Sequence, residues 1–483
     1  MDAFRLTNLT GVNEIGANCY LFEWGDVRVV VDCGAHPKRE GRAALPRLDR
    51  LDGLKISAIF LTHAHQDHLG SLPVLTRMFP DVPVFMTEAT RQLADAMLRN
   101  SVNVMFRRKE EAGILDYPLF THRDVTAGCK AWRAMPLHHW YDLDGERVLE
   151  SDEDGERDVV FRFHDAGHIL GSVAVEFIAG GQRILYTGDI NLEDQTMMSA
   201  GRLPTNGIDV LVIETTRGLV PTPQGFTRRS EEARFLEAVK QVFAAGGSVL
   251  VPVFALGKTQ ELLLMLHRAF QSGDLQRCPV YIGGLSTKLT EIHDDLADAA
   301  PRQAPGLELM EEVAPFTIRG SELSNLGVKA RRIYALSSGM MSENTLSNVV
   351  AERFLSHPQN GVFFVGYADP ETPGGALKRI GRGGEVQLRK DSPPVQVQCR
   401  VEDFQFSAHS SRETILDHIR RTAPSQLYLV HGDGGALRWF AENAVRDLPK
   451  TEVFVGDTFY MPDEVESEGT VATESGDTLA SMA

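Results

Sequence analysis

The chain has 483 residues, of which 43% are hydrophobic and 24% charged, and this composition is ordinary for a globular protein. Its length predicts two or three domains. No apolar run approaches the roughly 20 residues that a membrane-spanning helix needs, so we expect no membrane segment. The net charge of −17 argues against nucleic-acid binding through overall charge, although bound metals or a local basic groove would offset it.

The five cysteines are scattered, odd in number and without CxxC spacing: Cys19, Cys33, Cys129, Cys278 and Cys399. This distribution argues against a disulfide framework and is typical of a reducing compartment. The first residues also lack a basic segment leading into an apolar one, which is the pattern of a secretory signal. We therefore expect a cytoplasmic protein.

Short apolar runs separated by turns predict strands at 19–22, 27–31, 56–62 and 84–86, with a helix at 90–99. The acidic segment 150–157 contains a glycine and is expected to form an exposed hairpin tip. Further strands are predicted at 159–163, 183–186 and 211–213. Together these segments predict a domain built on sheets of short strands.

After about residue 218 the pattern changes to strands alternating with longer helices, which predicts a parallel α/β sheet with its own core. The strands are expected at 248–254, 280–282, 332–336 and 361–365, with a helix at 259–270. Short strands return at 395–401 and 426–430. We therefore expect a first domain at 1–215 and 395–461, interrupted by an inserted domain at 216–394, and an acidic, disordered tail at 462–483.

A dense group of polar residues follows the predicted strand at 56–62. His63, His65, Asp67 and His68 lie within six residues of one another. Imidazole and carboxylate are ligands that zinc takes. A lone histidine is more often structural, but four such residues at the end of one buried strand predict a metal site.

The same arrangement recurs along the chain. Apolar strands lead into His168 of Asp165-Ala166-Gly167-His168, into Asp189 of Thr187-Gly188-Asp189, into Glu214 and into His431. The ends of strands are where a sheet presents its functional loops. We therefore expect these side chains to join the first group.

In this order, the residues from His63 to Asp189 resemble those of the metallo-β-lactamase superfamily. Glu214, His409 of Phe406-Ser407-Ala408-His409 and His431 of Val430-His431-Gly432-Asp433 resemble the further motifs of its β-CASP nucleases. Segments 254–261, 337–340 and 366–367 match as well, so the resemblance extends to about residue 460. Within that family it is greatest to the endonuclease of pre-mRNA cleavage and polyadenylation and its prokaryotic homologues.

The resemblance implies an α/β fold, a metallo-β-lactamase αββα sandwich with an inserted β-CASP α/β domain. It also implies two zinc ions, with Mn²⁺ as an alternative. One ion would be held by His63, His65 and His168, the other by Asp67, His68 and His431, with Asp189 bridging. Two metals about 3.5–4 Å apart would share one activated hydroxide that attacks phosphorus.

The resemblance further implies that Asp67 and His409 take part in catalysis. His409 would be the general acid, oriented by Glu214. Residues 410–413 (Ser-Ser-Arg-Glu) read as a capping box that opens a helix to about residue 420. This would place His409 at the positive end of a helix dipole. Asp32 matches a family position that supports the metal ligands.

Candidate substrate residues are Ser337, Ser338 and Ser407 in the motif segments, together with Lys378 and Arg379. The two basic residues belong to a cluster in the inserted domain that also contains Arg382, Arg389 and Lys390. Such a cluster fits a nucleic-acid groove, and it fits a solvated helix face equally well.

Four places depart from the family pattern. Arg217 stands where tyrosine is usual, residues 342–344 replace glycines, residues 369–373 replace a Gly-Thr pair, and Ser411 replaces an acidic residue. None of these is a metal ligand. Glu343 and Glu371 would repel phosphate if they faced the cleft between domains.

The leading hypothesis is a zinc-dependent ribonuclease that hydrolyses RNA phosphodiester bonds in RNA processing or decay. His431 favours RNA by resemblance, since relatives that act on DNA tend to carry an apolar residue there. The alternatives are a DNA nuclease acting on single strands, a non-catalytic scaffold that needs an active homologue, and a small-molecule metallohydrolase. A homo-oligomer or a protein partner that recruits RNA is also compatible with the sequence.

Overall fold

The structure is a computed structural model that describes residues 4–11, 13–149, 159–319 and 329–461. The acidic segment predicted as a hairpin tip, 150–157, and the tail 462–483 lie outside the described residues. In the described part of the chain, no helix combines the length and the apolar character that crossing a membrane requires.

The first part of the chain forms twelve of the described strands and four α-helices. In chain order these are β1 (Arg5–Asn8), β2 (Tyr20–Trp24), β3 (Val27–Val31), β4 (Ala58–Phe60), α1 (Gln66–Leu69), α2 (Leu72–Met78), β5 (Val84–Met86), α3 (Glu88–Ala112), α4 (His122–Gly128), β6 (Trp132–Ala134), β7 (Trp140–Asp142), β8 (Arg147–Val148), β9 (Val159–Asp165), β10 (Val173–Ala179), β11 (Gln182–Tyr186) and β12 (Val210–Glu214).

The next part alternates strands and helices, as its sequence predicts. Its elements are α5 (Arg228–Ala244), β13 (Val249–Pro252), α6 (Lys258–Ser272), β14 (Val280–Gly283), α7 (Leu285–Asp295), α8 (Leu309–Glu312), β15 (Phe316–Ile318), β16 (Ile333–Leu336), α9 (Leu346–Phe354), β17 (Gly361–Phe364), α10 (Pro373–Ile380), β18 (Glu385–Val386), β19 (Val395–Gln396) and β20 (Arg400–Asp403).

The last described part returns to the first sheets. It contains α11 (Arg412–Thr422), β21 (Gln426–Val430), α12 (Gly434–Asp447), β22 (Glu452–Val455) and β23 (Thr458–Phe459). Three short 3-10 helices, at Gly41–Ala44, Leu48–Leu51 and Cys129–Ala131, complete the described elements.

Two sheets pack face to face. The first has the order β1-β2-β3-β4-β5-β6, and the second β23-β22-β21-β12-β11-β10-β9-β7-β8. Successive side chains of a strand point to opposite faces. Phe60 of β4 therefore enters the space between the sheets, where its ring meets Phe161 at 4.8 Å and Phe177 at 5.0 Å, both edge-on. These aromatic contacts hold the sandwich together.

Helices cover the outer faces of both sheets. Ile59, next to Phe60, points away from the sandwich into an apolar cluster with Leu93 of α3. On the second sheet, Leu211 points outward and packs with Ile415 of α11 and Phe440 of α12. The layers are therefore helix, sheet, sheet and helix, which confirms the predicted αββα sandwich.

The third sheet belongs to the inserted domain and has the order β15-β14-β16-β13-β17-β20. Every recorded pairing within it is parallel. The strand predicted at 395–401 divides into β19, which pairs with β18, and β20, which adds to β17. The chain therefore leaves this sheet only after Asp403. The inserted domain also shares an apolar cluster with the first domain, because Leu289 of α7 and Leu98 of α3 belong to the same group.

Parallel pairing of β11, β12 and β21 fixes the position of the site. Glu214 at the end of β12 lies in register with Val430 at the end of β21, and β11 runs parallel to β12 beside it. The carboxyl ends of all three strands therefore lie at one edge of the second sheet. His431 follows directly after β21 at that edge.

Candidate active site

The first ligand loop leaves β4 and enters the short helix α1. His63 and His65 precede the helix, and Asp67 and His68 lie in it. The loop is held against Gly34, where a Cβ atom would lie only 1.6 Å from the backbone oxygen of Asp67. Only glycine allows this approach.

One group of side chains combines His63, His65, His168 and Asp189, whose ligand atoms lie within 4.8 Å of one another. Nε2 of His168 lies 3.0 Å from Nδ1 of His65. The Oδ2 atom of Asp189 lies 3.6 Å from Nε2 of both His63 and His168. His168 is fixed through its other nitrogen, Nδ1, which donates to the carbonyl oxygen of Ala408 at 2.8 Å.

A second group combines Asp67, His68 and His431. Nε2 of His431 lies 3.3 Å from Oδ2 of Asp67. The other carboxylate oxygen of Asp189, Oδ1, lies 3.3 Å from Nε2 of His68 and 3.1 Å from Nδ1 of His431. Asp189 therefore stands between the two groups and presents one oxygen to each.

This donor set fits divalent metal ions. Nε2 of His63 and Oδ1 of Asp189 are buried and make no hydrogen bond within the described residues. Buried polar atoms normally have a partner, so two orphaned atoms pointing into one cluster need an occupant. Nitrogen and carboxylate oxygen together suit zinc or manganese. The chain thus contains a candidate site for two metal ions.

Asp32 supports His68 from behind. Its Oδ2 atom accepts hydrogen bonds from Nδ1 of His68 and from the hydroxyl of Tyr186, both at 2.8 Å. Its Oδ1 atom accepts from the backbone N–H of Thr62 at 2.8 Å. Asp32 is fully buried and has a φ of 58°, as His431 has a φ of 51°. Positive φ values are uncommon at non-glycine residues, and two of them occur here among the residues of one cluster.

The charges within the cluster shift the pKa values of its members in opposite directions. Burial disfavours the charged form of His68, but the carboxylates of Asp189 and Asp32 outweigh it and raise the pKa of His68 well above its usual value. Burial lowers the pKa of His65 to about 4, because the charges of Asp67 and Asp189 offset it only in part. Burial opposes ionisation of Asp67 too, yet the hydrogen bond with His431 and the charge of His68 lower its pKa to about 2. The carboxylates are therefore ionised and available as ligands.

His409 and Glu214 form a pair next to the first group. Nδ1 of His409 donates to Oε1 of Glu214 at 2.9 Å. Glu214 is almost fully buried, and it also accepts from the backbone N–H groups of Ile190 and Thr216. The ring of His409 lies 4.6 Å from that of His168. Burial opposes protonation of His409, but Glu214 outweighs it and raises the pKa of the imidazole.

The predicted helix after His409 is present, but its cap is one residue later than the sequence pattern indicates. Ser411, not Ser410, caps α11 by accepting from the backbone N–H of Thr414. Ser410 instead accepts from the N–H of Leu192 at 2.7 Å. His409 is therefore held by its neighbours in the first domain and lies two residues before the cap.

Cations gather on the His409 side of the cluster. Lys258 opens α6, and its Nζ atom donates to the carbonyl oxygen of Phe406. Burial, together with the charges of Arg228 and Arg217, lowers the pKa of Lys258 to about 7. Burial also lowers the pKa of Arg217, which follows the Glu214 strand. Lys258 lies in the matching segment 254–261, but no role was predicted for it, and Arg228 lies outside the predicted motifs.

The predicted substrate residues lie in different places, and not all of them are at the site. The Oγ atom of Ser407 donates to the carbonyl oxygen of His409 at 3.0 Å, so Ser407 borders the site. Ser337 and Ser338 follow β16 and bond with Ser347 of the same domain. Lys378 is held by Asp403 at 2.8 Å.

The rest of the basic cluster is divided between pairing and exposure. Arg389 pairs with Glu352 at 2.8 Å, while Arg379 is exposed and donates to the carbonyl oxygen of Pro370. Lys378 and Arg389 are therefore partly neutralised by carboxylates. Among these candidates, the described contacts bring only Ser407 next to the histidine cluster.

The two domains also meet through an ion pair. Lys38, in the loop after β3, lies 2.5 Å from Asp369, in the segment after β17. Tyr367 donates to the same carboxylate at 3.2 Å and is 62% exposed. Glu371 is exposed beside them, and Glu343 accepts a backbone hydrogen bond from Lys390 at 3.2 Å.

Three supporting residues were not expected from the sequence. Asn18 places its side-chain nitrogen 3.2 Å from Nε2 of His68. Thr216 places its hydroxyl 2.9 Å from Nδ1 of His431. Tyr186 contacts Asp32 as described above. The position of Tyr186 at the end of a strand that leads into Asp189 was an available signal, whereas Asn18 lies in a loop with no recognisable pattern.

Comparison with known proteins agrees with this geometry. The family model of the metallo-beta-lactamase superfamily matches residues 12–241, the Beta-Casp domain matches 259–377, and the Zn-dependent metallo-hydrolase RNA specificity domain matches 394–455. The chain belongs to the β-CASP family of the metallo-β-lactamase superfamily. The resemblance predicted from the motifs is thereby confirmed, as is the interrupted sandwich fold.

Curated β-CASP relatives align with nearly all of the chain. Cleavage and polyadenylation specificity factor 73 of Drosophila melanogaster is 29% identical over 444 residues, which cover 89% of this chain and 60% of that protein. Endoribonuclease YSH1 of Saccharomyces cerevisiae is 27% identical over 90% of this chain and 55% of its own length. Transcription termination factor FttA of Methanocaldococcus jannaschii is 27% identical over 93% and 70%. The chain thus spans little more than half the length of the first two relatives.

A solved structure shares the fold. A protein of unknown function from Enterococcus faecalis V583 superposes with a TM-score of 0.52 at 12% identity, covering 93% of this chain and 97% of its own. At this identity the likeness concerns the fold alone.

Proposed function

We propose that this β-CASP protein is a zinc-dependent ribonuclease that hydrolyses RNA phosphodiester bonds. The observation that carries the proposal is the position of Asp189, which presents one oxygen to each of two ligand groups beside the His409–Glu214 pair. Two metal sites with an adjacent proton donor are suited to the displacement of an oxygen from phosphorus.

His63, His65 and His168 would hold one ion, and Asp67, His68 and His431 the other, with Asp189 shared. The orphaned atoms of His63 and Asp189 support this assignment. Bound there, two ions would lower the pKa of a shared water and neutralise charge on the phosphate oxygens. Zinc fits the histidine-rich set, and manganese is compatible with it.

His409 would donate the proton that the leaving oxygen needs. Its Nδ1 atom is committed to Glu214, so Nε2 is the nitrogen left for the substrate. Glu214 orients the ring and favours its protonated form, which is the form that can act as an acid. His168 packs against the same ring and fixes it from the other side.

RNA is the proposed substrate on two grounds. One matching family model carries the description RNA specificity domain, and curated relatives are named endoribonucleases. The carboxyl end of the matched segment contains His431, which joins the second ligand group in this chain. By this proposal the chain acts in RNA processing or decay.

End-labelled single-stranded RNA and DNA of the same sequence test the proposal. The zinc-loaded protein is expected to cleave RNA, and Asp67→Ala is expected to abolish cleavage because it removes a ligand of the second group. Asp81→Ala, at an exposed position, serves as the matched control. Cleavage of neither polymer, or cleavage that persists in Asp67→Ala, would contradict the proposal. Preferential cleavage of DNA would replace it with the DNA-nuclease alternative.

A cytoplasmic location is part of the proposal. All five cysteines are free, and three of them are buried, which suits a reducing compartment. RNA is the proposed macromolecular partner. With a net charge of −17 the chain is expected to bind RNA weakly at physiological salt, so a second copy or a recruiting protein is a proposed partner as well.

A further inference from the structure

Arg217 is a half-buried cation without a counter-ion. It lies three residues after Glu214, between the loop of His431 and the start of α11. Its guanidinium makes no ion pair and no hydrogen bond with the part of the chain that the structure describes. Partial burial without such a partner is costly for an arginine, and its pKa is lowered by this burial.

The acidic side chains around Arg217 are engaged elsewhere. Glu193 accepts from the hydroxyls of Ser411 and Thr414 at 2.9 and 2.7 Å. Glu413 accepts from Thr222 at 2.8 Å and pairs with Arg412 at 3.0 Å. Glu214 is committed to His409. Each carboxylate is thus satisfied by another donor, and the five N–H groups of Arg217 remain available.

Lys258 likewise makes no ion pair with the described residues, and it lies close enough to Arg217 for the charge of the arginine to lower its pKa. Its Nζ atom donates to the carbonyl oxygen of Phe406, and in the ammonium form, which a bound phosphate would favour, two further protons are free. The nearest acid on its own helix, Glu261, is held instead by Arg228 and by the backbone N–H groups of Thr196 and Met197. Lys258 also contributes to the electrostatic environment of His409, so the lysine and the histidine are neighbours.

We infer that Arg217 and Lys258 form a phosphate-binding subsite beside His409, which takes the phosphate adjacent to the scissile one on the leaving-group side of an RNA strand. The inference rests on the proposed function. The scissile phosphate would be bound by the metal ions. Arg217 and Lys258 lie on the side of the proposed general acid, His409, so they would meet the next phosphate in the part of the strand that leaves. A guanidinium matches the geometry of phosphate oxygens, and a lysine adds a point charge.

An RNA strand suits these cations better than a protein carboxylate does. The chain carries 66 acidic and 49 basic residues, and the carboxylates nearest Arg217 are already bound. Because the surrounding protein is acidic, two unpaired cations would attract an acidic protein partner only weakly. They are well placed for a ligand that carries a negative charge on every nucleotide.

Oligonucleotides with one uncharged methylphosphonate test the subsite. One substrate carries it next to the scissile phosphate on the leaving-group side, a second carries it on the opposite side, and a third is unmodified. Each is cleaved by the wild type, Arg217→Gln, Lys258→Gln and the control Arg268→Gln. Arg268 is an exposed residue of the same helix as Lys258.

With unmodified RNA, Arg217→Gln and Lys258→Gln are each expected to lower kcat/KM by about ten- to a hundredfold, as the loss of a charge-assisted hydrogen bond does. Methylphosphonate on the leaving-group side is expected to lower wild-type activity similarly, and the variants should then lose little more. Methylphosphonate on the opposite side should leave the effect of each variant intact. Arg268→Gln should match the wild type throughout.

Binding gives a readout that does not depend on turnover. Fluorescence anisotropy with the same three substrates, measured on the Asp67→Ala protein with and without Arg217→Gln, should show a loss of affinity that disappears with the leaving-side methylphosphonate. Unchanged melting temperatures would separate this loss from misfolding.

Two results would overturn the inference separately. Variant effects that are equally large on all three substrates would mean that Arg217 and Lys258 act on the fold or on the scissile phosphate, and that they do not bind the neighbouring phosphate. If Arg217→Gln and Lys258→Gln lowered kcat/KM no more than Arg268→Gln does, the proposed subsite would be wrong. In both cases metal-dependent cleavage of RNA by the wild type leaves the proposed function standing, whereas failure of the wild type to cleave RNA contradicts that function and the subsite with it.

Discussion

His409 is the residue whose contacts best separate catalysis from metal binding. It belongs to neither of the two proposed metal-ligand groups, and its Nδ1 atom is fixed by Glu214. His409→Gln is therefore expected to lower kcat by about 10²–10⁴-fold, the usual contribution of a general acid, while zinc content stays unchanged. Single-turnover cleavage and elemental analysis measure the two quantities, with the exposed His357→Gln as control.

A substrate with a good leaving group shows whether the loss of activity in His409→Gln comes from the missing proton donor. A nitrophenolate departs without a proton, so its release from a phosphodiester should depend far less on His409 than the release of a ribose oxygen does. If the zinc content of His409→Gln fell together with its rate, the histidine would be a ligand and the assignment as an acid would be wrong.

Asp32 is expected to act on the metals without touching them. Asp32→Asn keeps the shape of the side chain, and asparagine tolerates the φ of 58° that the backbone has here. The variant loses the charge that faces Nδ1 of His68. Zinc affinity, measured by competition with a chelator, should fall about 10–100-fold.

Tyr186→Phe is the matched control for Asp32→Asn. It removes one hydrogen bond to the same carboxylate and leaves the contact with His68 in place, so its effect on zinc affinity should be smaller. If Asp32→Asn lowered the melting temperature while zinc affinity stayed the same, Asp32 would serve the fold only.

On the neighbouring strands β9, β10 and β11, an ionic cluster supports the sheet that carries the site. Glu176 of β10 is fully buried and contacts Arg162 of β9 and Arg183 of β11, each at 2.8 Å, as well as His164 at 2.6 Å. Burial opposes its ionisation, but the hydrogen bonds from His164 and Arg162 prevail and lower its pKa to about 2.

Glu176→Gln is expected to reduce the free energy of unfolding at neutral pH by roughly 2–3 kcal/mol, somewhat less than the loss of a fully buried partner, since the two arginines are partly exposed. Because the folded-state pKa is below the unfolded value of about 4.3, the stabilisation is complete above that value and is lost as the pH falls toward 2. Urea unfolding of both proteins between these limits should show their difference shrinking with acid. A difference that is constant with pH would contradict the ionic account.

Element patterns predicted much of this architecture from local sequence alone. His63, His65, Asp67 and His68 could be recognised because they follow one apolar strand closely. The carboxyl ends of β11, β12 and β21 come together by parallel pairing in the other sheet. Contacts between residues that are distant in the sequence could not be predicted from local patterns. Ser410 and Ser411 are adjacent candidates for one cap, and only the contact between Ser410 and Leu192 decides between them.

The basic cluster shows a second limit of sequence analysis. The pairing of Lys378 with Asp403 depends on how β20 joins the third sheet, which no local pattern reveals. Asn18 and Lys258 reach the site only through the folding of loops and domains. Their roles follow from distances in space and not from spacing in the chain.

Across the whole molecule, the ion pair of Lys38 with Asp369 joins the first domain to the inserted domain. Lys38 is more than half exposed, so the pair is worth about 0–1 kcal/mol. Lys38→Gln should ease separation of the domains and raise the association rate of RNA up to about fivefold at low salt. Stopped-flow fluorescence with labelled RNA measures this rate.

Salt and a second lysine control the experiment on Lys38. At about 1 M salt the ion pair is screened, and the wild type and Lys38→Gln should converge. Lys55→Gln removes an exposed lysine away from the pair, and it should not raise the rate. A fall in association rate for Lys38→Gln that equals that for Lys55→Gln would show that Lys38 only attracts RNA.

The contact between His431 and Asp67 joins residues 364 positions apart in the chain. During synthesis the ribosome delivers His63, His65, His168 and Asp189 early, whereas His409 and His431 emerge only after the whole inserted domain. A nascent chain therefore contains every residue of the first ligand group while His409 and the last member of the second group, His431, are still missing. By this order of delivery, a product that terminates before residue 431 would lack a ligand of the second group and, under the proposed function, would be unable to cut RNA.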